Sequence, residues 1–150
     1  KLHENHDCIV WHIIIGVVPF SEIEALAGSI SNIKILLLGY KNFRKGAVYL
    51  SEHGTSISEN IQETYRKLPL LFKKTKVVSF DNLAIEQLNV RRLFTDEGWQ
   101  KFYMGDDGTF SMYIDAVNKS FAKTSTSNET HDATNLSIPQ MFWKLKSTEK

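Results

Sequence analysis

The sequence has little cysteine, almost no net charge and no long apolar run. A single cysteine, Cys8, among 150 residues rules out an internal disulfide, so a secreted disulfide scaffold is excluded and a reducing, cytoplasmic location is expected. The net charge of +1 argues against a dedicated nucleic-acid or membrane-surface binder. The longest apolar run, residues 9–20, is interrupted by His12 and is too short to span a bilayer.

The apolar residues that are present fall into three short runs. Hydrophobic residues make up 42% of the chain, which is enough to bury the core of one domain. The runs cover residues 9–16, 33–39 and 77–80, and helical patterns follow them. Strands that alternate with helices predict an α/β fold with a parallel sheet, whose strands are typically buried on both faces.

Polar residues predict where several helices begin. Ser21 and Glu24 form the pattern of a capping box at the first helix. Asp81 or Asn82 is expected to cap the helix after the third strand, and Thr95 to cap another short helix.

The segment between the second and third strands predicts a long loop. Residues 40–55 lack a clear helical pattern, and loops of this length are uncommon unless they have a function. A helix is expected to begin at Ser58 and to end or bend near Lys67, because Pro69 cannot donate a backbone hydrogen bond.

The region after residue 102 predicts a β-hairpin. A turn at Asp106 and Asp107 precedes two short alternating segments. Residues 125–137 are rich in Ser, Thr and Asn and predict a loose linker, while residues 139–146 predict a short last helix.

Polar side chains near the ends of the predicted strands are candidate ligand contacts. Ligands of parallel sheets bind beyond the carboxyl ends of the strands, where His12, residues 40–42, Asp81 and Asn82 are expected to gather. Each has a structural alternative: a strand histidine is commonly neutral and hydrogen-bonded, and Asp or Asn after a strand is commonly a helix cap.

Two groups of residues could bind a metal ion. His3, His6 and Cys8 are ligand types for zinc or iron, but no fourth ligand lies nearby and a polar lead-in to the first strand is the alternative. Asp106 and Asp107 could bind a cation, although a turn explains them more simply.

Three segments of the chain resemble a known family. They are "IKILLLGYKNFRKG", "VVSFDNLAIEQLNV" and "FYMGDDGTFSMYIDAVNKSFAKTSTS". They resemble the C-terminal half of radical S-adenosylmethionine (radical SAM) proteins, in particular members from bacterial and phage genomes, over about residues 10–127. The resemblance implies a partial (β/α) barrel of about three parallel βα units plus a C-terminal β-hairpin in residues 1–127. Residues 128–150 would be a polar linker and a short terminal helix.

The resemblance also implies a cofactor and its contacts. S-adenosylmethionine would bind at the late strands of the barrel, with the ribose or methionine part near the first strand and the adenine near the end of the second. The implied cofactor-binding residues are His12, Leu38, Gly39, Tyr40, Ser79, Asp81 and Asn82.

The chain departs from the family at the cluster motif. Radical SAM chemistry requires Cys-x-x-x-Cys-x-x-Cys, whose thiolates hold a 4Fe–4S cluster, and Cys8 alone cannot supply that ligand set. Either the chain is a fragment whose cluster belongs to a parent or partner chain, or it is a remnant without radical activity. In both cases the isolated chain would be inactive. Met104, Asp106, Thr124 and Ser125 stand where related members carry further cysteines, so the hairpin is expected to cover the barrel end without an auxiliary cluster.

A half barrel would leave a strand edge open. Open edges pair readily, so association with itself or with an N-terminal half-barrel is expected, without nucleic-acid or membrane partners. Two alternatives remain. One is a non-catalytic α/β interaction protein on the same half barrel. The other is a small nucleotide-binding α/β domain of doubly wound type, for which the Gly-rich first turn is absent.

Overall fold

The chain forms two compact units in a computed structural model that describes residues 9–147. Among these residues the first unit ends at Trp99 and the second begins at Gln100, so the predicted boundary at residue 127 lies inside the second unit. The elements of the first unit are β1 (Trp11–Ile14), α1 (Phe20–Ser29), β2 (Lys34–Leu38), α2 (Lys45–Lys74), β3 (Val77–Phe80), α3 (Asn82–Gln87) and a 3-10 turn (Val90–Leu93). Helix α4 (Asp96–Phe102) crosses the boundary, and β4 (Tyr113–Asp115), β5 (Ser120–Ala122), β6 (His131–Asp132) and α5 (Ile138–Ser147) follow.

The three apolar runs form one parallel sheet in the order β1-β2-β3. Trp11 pairs with Ile35, which in turn pairs with Val78, and the same register continues along the strands. The predicted parallel arrangement of three neighbouring strands is confirmed.

Among the described residues of the first unit, helices cover one face of this sheet. Ile13, Ile35 and Leu37 are buried and pack in one apolar cluster with residues of α1, α2 and α3. On the opposite face Ile14 and Val77 are 44% and 42% exposed. The prediction that the strands are buried on both faces is therefore wrong. Two successive crossovers of the same hand between neighbouring strands place both helices on the same side.

The helix starts match the sequence signals only in part. Asp81 precedes α3 and its carboxylate accepts a hydrogen bond from the Ala84 amide, and the Thr95 hydroxyl accepts one from the Gly98 amide, so both caps are confirmed. The capping box at Ser21 is wrong. Helix α1 begins at Phe20, directly after Pro19, whose carbonyl accepts the first amide hydrogen bonds. Proline pre-sets the φ angle that a helix entrance needs.

The long loop predicted over residues 40–55 is instead mostly helix. Helix α2 starts at Lys45 and is interrupted at His53, whose φ of −128° and ψ of 18° are not helical. Its first turns have no buried side chain, so they carry no apolar stripe that a sequence pattern could reveal.

Helix α2 does not end near Lys67 but continues through Pro69 to Lys74. Proline lacks the amide that would bond to the carbonyl of the fourth residue before it, which is Tyr65. The Arg92 guanidinium donates to that carbonyl and stacks 3.9 Å above the Tyr65 ring. An outside donor thus replaces the missing hydrogen bond.

The second unit is built on a small antiparallel sheet. Strands β4 and β5 form the predicted hairpin, and β6 pairs with β5. The loose linker predicted over residues 125–137 is therefore wrong at β6, where pairing with β5 fixes a polar segment. The predicted last helix is confirmed as α5, which packs Met141 and Leu145 on Phe121. Within residues 9–147 no helix has both the length and the apolar character needed to cross a bilayer.

Candidate functional site

Six of the seven residues predicted to contact a cofactor fall into two groups in the structure, and Asn82 lies in neither. Gly39, Tyr40 and Asp81 lie together beyond the carboxyl ends of β2 and β3. His12, Leu38 and Ser79 lie on the strands, on the face opposite the helices. Asn82 is the half-buried first residue of α3.

Asp81 connects the ends of two strands. Its Oδ1 accepts hydrogen bonds from the amides of Ala84 at 2.7 Å and Gly39 at 2.9 Å. The Asp81 amide donates to the Leu37 carbonyl at 3.1 Å. One carboxylate therefore caps α3 and holds the residue after β2 against the end of β3. This is the structural role that the sequence left open beside a ligand contact.

The strand tip, Gly39 and Tyr40 at the end of β2, is held by a second side chain from α3. Gln87 accepts from the Tyr40 amide and donates to the Tyr40 carbonyl, both at 2.9 Å. The Tyr40 hydroxyl donates to the Gly46 carbonyl at 2.5 Å, which ties the tip to the start of α2. The ring is almost fully buried.

The tip is also closely packed. A Cβ atom at Gly39 would lie 2.4 Å from Cγ of Leu83, so only glycine lets α3 approach the end of β2 this closely. Both amides of the strand tip and the Tyr40 carbonyl are already hydrogen-bonded within the protein. A ligand would therefore meet an ordered tip whose backbone donors are engaged.

The open face presents a different surface. We use this term for the face that carries the side chains of His12, Ile14, Lys34, Leu36, Leu38, Val77 and Ser79. His12 pairs with Leu36, and Leu36 pairs with Ser79, so three strands contribute to one row. Neighbouring strands are about 4.8 Å apart, which places the Cα atoms of His12 and Ser79 about 10 Å from each other.

This open-face row combines polar and apolar chemistry. His12 and Ser79 are exposed, and Leu36 between them is half-buried. The next row toward the strand tip pairs Ile14 with Leu38 and is wholly apolar. An imidazole and a hydroxyl can each donate and accept hydrogen bonds, so this row offers two hydrogen-bonding positions, one on either side of Leu36.

Three residues of this region were missed in the sequence. Leu36 and Ile14 were read only as members of buried strands, and Gln87 only as part of a helix. A signal for Gln87 exists: it lies three residues after the buried Ala84 and one before the buried Leu88, so a polar side chain lies next to the buried side of a short helix.

The two possible metal groups gain no support in the described residues. His3, His6 and Cys8 lie outside them, and within residues 9–147 no three His, Cys, Asp or Glu side chains come together. Asp106 forms a turn, since its carbonyl accepts from the Thr109 amide at 3.0 Å. Its carboxylate accepts from the Tyr103 hydroxyl; burial, helped by this bond, raises the pKa of Tyr103 to about 12.

Comparison with known proteins returns no match for this chain among protein-family models, curated proteins or solved structures.

Proposed function

We propose that residues 9–99 form part of the wall of a (β/α) barrel that binds S-adenosylmethionine, with the open face of the sheet turned toward the barrel interior. The chain would act as the late-strand portion of a radical SAM-type assembly. The cofactor would contact the open-face row through its polar groups and lie near Leu38 and the strand tip.

The observation that carries this proposal is the placement of α1, α2 and α3 on one face of the sheet. In a (β/α) barrel the helices lie outside and the inner face receives the ligand. In a doubly wound domain helices cover both faces, and the ligand binds where the strand order reverses. The order β1-β2-β3 of the described sheet contains no reversal, which favours a barrel wall over the doubly wound alternative.

The chemistry of the open face suits an adenosine-like ligand. Such ligands need apolar contact for a flat base and a few placed hydrogen-bonding groups for hydroxyls. Leu36, Leu38 and Ile14 supply aliphatic surface, while His12 and Ser79 supply hydrogen-bonding groups on either side of Leu36. The tip residues Gly39 and Asp81 would then shape the end of the site rather than bind through their backbone.

A 4Fe–4S cluster would have to be held by another segment or another chain. Cys8 is the one cysteine, and three thiolates are needed for the cluster. The proposal therefore places the chain in the reducing cytoplasm beside a partner half-barrel that brings the cluster.

The first experiment titrates S-adenosylmethionine into the ¹⁵N-labelled chain and follows amide shifts, which detect weak binding. We expect shifts at His12, Leu36 and Ser79. Replacing His12 by Ala should weaken binding about three- to tenfold, the value of one hydrogen bond. His53→Ala, an exposed histidine on α2, is the matched control and should bind like the wild type. A titration that shifts no amide signals on the open face would contradict the proposal.

A non-catalytic interaction protein remains the second candidate, because Ile14 and Val77 leave apolar surface exposed on the open face. Size-exclusion chromatography addresses it together with the predicted self-association. An oligomer that forms through this face without any response to S-adenosylmethionine would favour the interaction protein. A clean monomer would count against self-association.

A further inference from the structure

Gln87 takes over the pairing of β2 at the point where β3 stops. Strand β3 ends at Phe80, yet the chain beyond β2 continues for two ordered residues. The side-chain amide of Gln87 gives Tyr40 one acceptor and one donor, both at 2.9 Å. A neighbouring strand makes the same pair of hydrogen bonds with its backbone, so one side chain imitates a strand.

The hydrogen bonds to the backbone polar groups of Tyr40 come from Gln87. Tyr40 is only 8% exposed, so its amide and carbonyl would be costly to leave without partners. The Asp81 carboxylate holds the Gly39 amide but does not reach the polar groups of Tyr40. The Tyr40 hydroxyl donates to the Gly46 carbonyl at the start of α2. Gln87 therefore holds the backbone of the residue whose side chain contacts the entrance of the long helix.

We infer that Gln87 is a positioning residue for the ligand site on the open face. This inference rests on the proposed function. Leu38, the last residue of β2 on that face, is followed directly by the tip that Gln87 holds. A tip that moves freely changes where β2 ends and what a ligand meets beside Leu38. Gln87 itself touches the tip on the helix side and makes no contact that requires the ligand.

The test compares two variants with a matched control. Gln87→Met keeps the length of the side chain and removes both hydrogen bonds, and Gln87→Glu keeps the acceptor for the Tyr40 amide but loses the donor to the carbonyl. Gln62→Met changes an exposed glutamine on α2. Amide hydrogen exchange reports the tip, and titration with S-adenosylmethionine reports the site.

In Gln87→Met the Tyr40 amide should exchange about tenfold faster, the loss expected for one hydrogen bond, while the Gly39 amide stays protected by Asp81. Affinity for S-adenosylmethionine should fall about five- to tenfold, and saturating S-adenosylmethionine should restore protection of the Tyr40 amide. Gln87→Glu sets a carboxylate oxygen against the Tyr40 carbonyl, so it should keep the Tyr40 amide more protected than Gln87→Met does, without the affinity of the wild type. Gln62→Met should behave as the wild type in both measurements.

Three results separate the possible failures. Unchanged exchange at Tyr40 in Gln87→Met would overturn the assignment of Gln87 to the tip. Faster exchange with unchanged affinity would show a merely structural role and overturn the positioning inference. If the wild type does not bind S-adenosylmethionine, the proposed function fails and takes the positioning role with it, while the exchange result still decides whether Gln87 orders the tip.

Discussion

The two faces of the parallel sheet are made of the same strands and nearly the same residue types, yet they differ in what covers them. On the covered face Ile35 and Leu37 have no exposed surface. On the open face Leu36 and Leu38 remain half-buried, and His12 and Ser79 are exposed. Alternate residues of one strand thus belong either to the core or to a surface that still offers apolar contact.

Within a single strand, the two faces are therefore expected to contribute differently to stability and to binding. Burial of apolar side chains is the main source of folding free energy, so the covered face should dominate the free energy of unfolding. The open face keeps exposed apolar area and the polar side chains of His12, Lys34 and Ser79, which contribute little to folding and are typical of a surface that binds something. A substitution on the covered face should therefore lower the free energy of unfolding, and one at the adjacent position on the open face should mainly affect binding.

The largest expected effect is on the covered face. Leu37→Ala should lower the free energy of unfolding by about 2–5 kcal/mol, because it leaves a cavity between the sheet and its helices. Leu36→Ala, one residue away on the open face, should cost about 1 kcal/mol because its side chain is only half-buried. Urea unfolding of both variants measures the difference. Equal costs would mean that the open face is covered in solution, which would contradict its description as a free surface.

A smaller loss of stability is expected at the strand tip, where α3 packs against Gly39. Gly39→Ala should destabilise by about 1–3 kcal/mol, since its Cβ would overlap Leu83 of α3. Gly28→Ala in α1 is the matched substitution, because nothing lies within 4 Å of a Cβ at that position. It should stabilise by about 0.5–1 kcal/mol through helix propensity. A harmless Gly39→Ala would show that α3 can withdraw from the tip.

The exposed segment just beyond the tip carries backbone strain. Arg44 has φ 51° and ψ −118°, and the Gly46 amide donates to the Phe43 carbonyl at 3.0 Å, which is a type II′ turn with Arg44 at the position that prefers glycine. Arg44→Gly should raise the free energy of unfolding by about 1 kcal/mol, after the greater freedom of glycine in the unfolded chain is subtracted. Lys45→Gly is the matched substitution, because Lys45 has helical geometry and glycine there should lower stability. Thermal unfolding of both variants measures the difference.

The sequence predicted the covered face better than the open one. Runs of Ile, Leu and Val predicted three parallel strands, and Asp81 and Thr95 predicted helix starts, because those signals depend on local chemistry. The open face could not be predicted, since a continuous apolar run looks alike whether one or both of its faces are buried. Which side the helices cover depends on the order of the strands and the handedness of the crossovers. The sequence of one strand carries no information on either.

Other errors have the same origin in tertiary contacts. A proline ends a helix when nothing replaces its missing amide donor. Here Arg92, 23 positions after Pro69, donates to the Tyr65 carbonyl instead. The first turns of α2 are anchored by Tyr40 rather than by an apolar stripe, so periodicity cannot reveal them. For the candidate site, the expected strand ends pointed to His12, Tyr40, Asp81 and Asn82, and the family resemblance added Leu38, Gly39 and Ser79. Gln87 was missed, because its role depends on where β3 stops.

The smallest expected effect lies on the outer surface of the covering helices. Glu24 of α1 and Lys74 of α2 form an ion pair with Oε1 and Nζ 2.7 Å apart. The hydrogen bond from Lys74 lowers the pKa of Glu24, so its contribution to stability is present above the ordinary carboxyl pKa and is lost as the pH falls through the lowered value.

In Lys74→Met the pKa of Glu24, followed by ¹³C NMR, should rise toward its ordinary value. Urea unfolding at pH 7 should change little, because the pair is solvent-exposed. Lys73→Met, from the same helical turn, should leave that pKa unchanged. A large loss of stability in Lys74→Met would mean that this ion pair, and not apolar packing, holds α1 against α2. The covered face would then depend on an electrostatic contact rather than on burial.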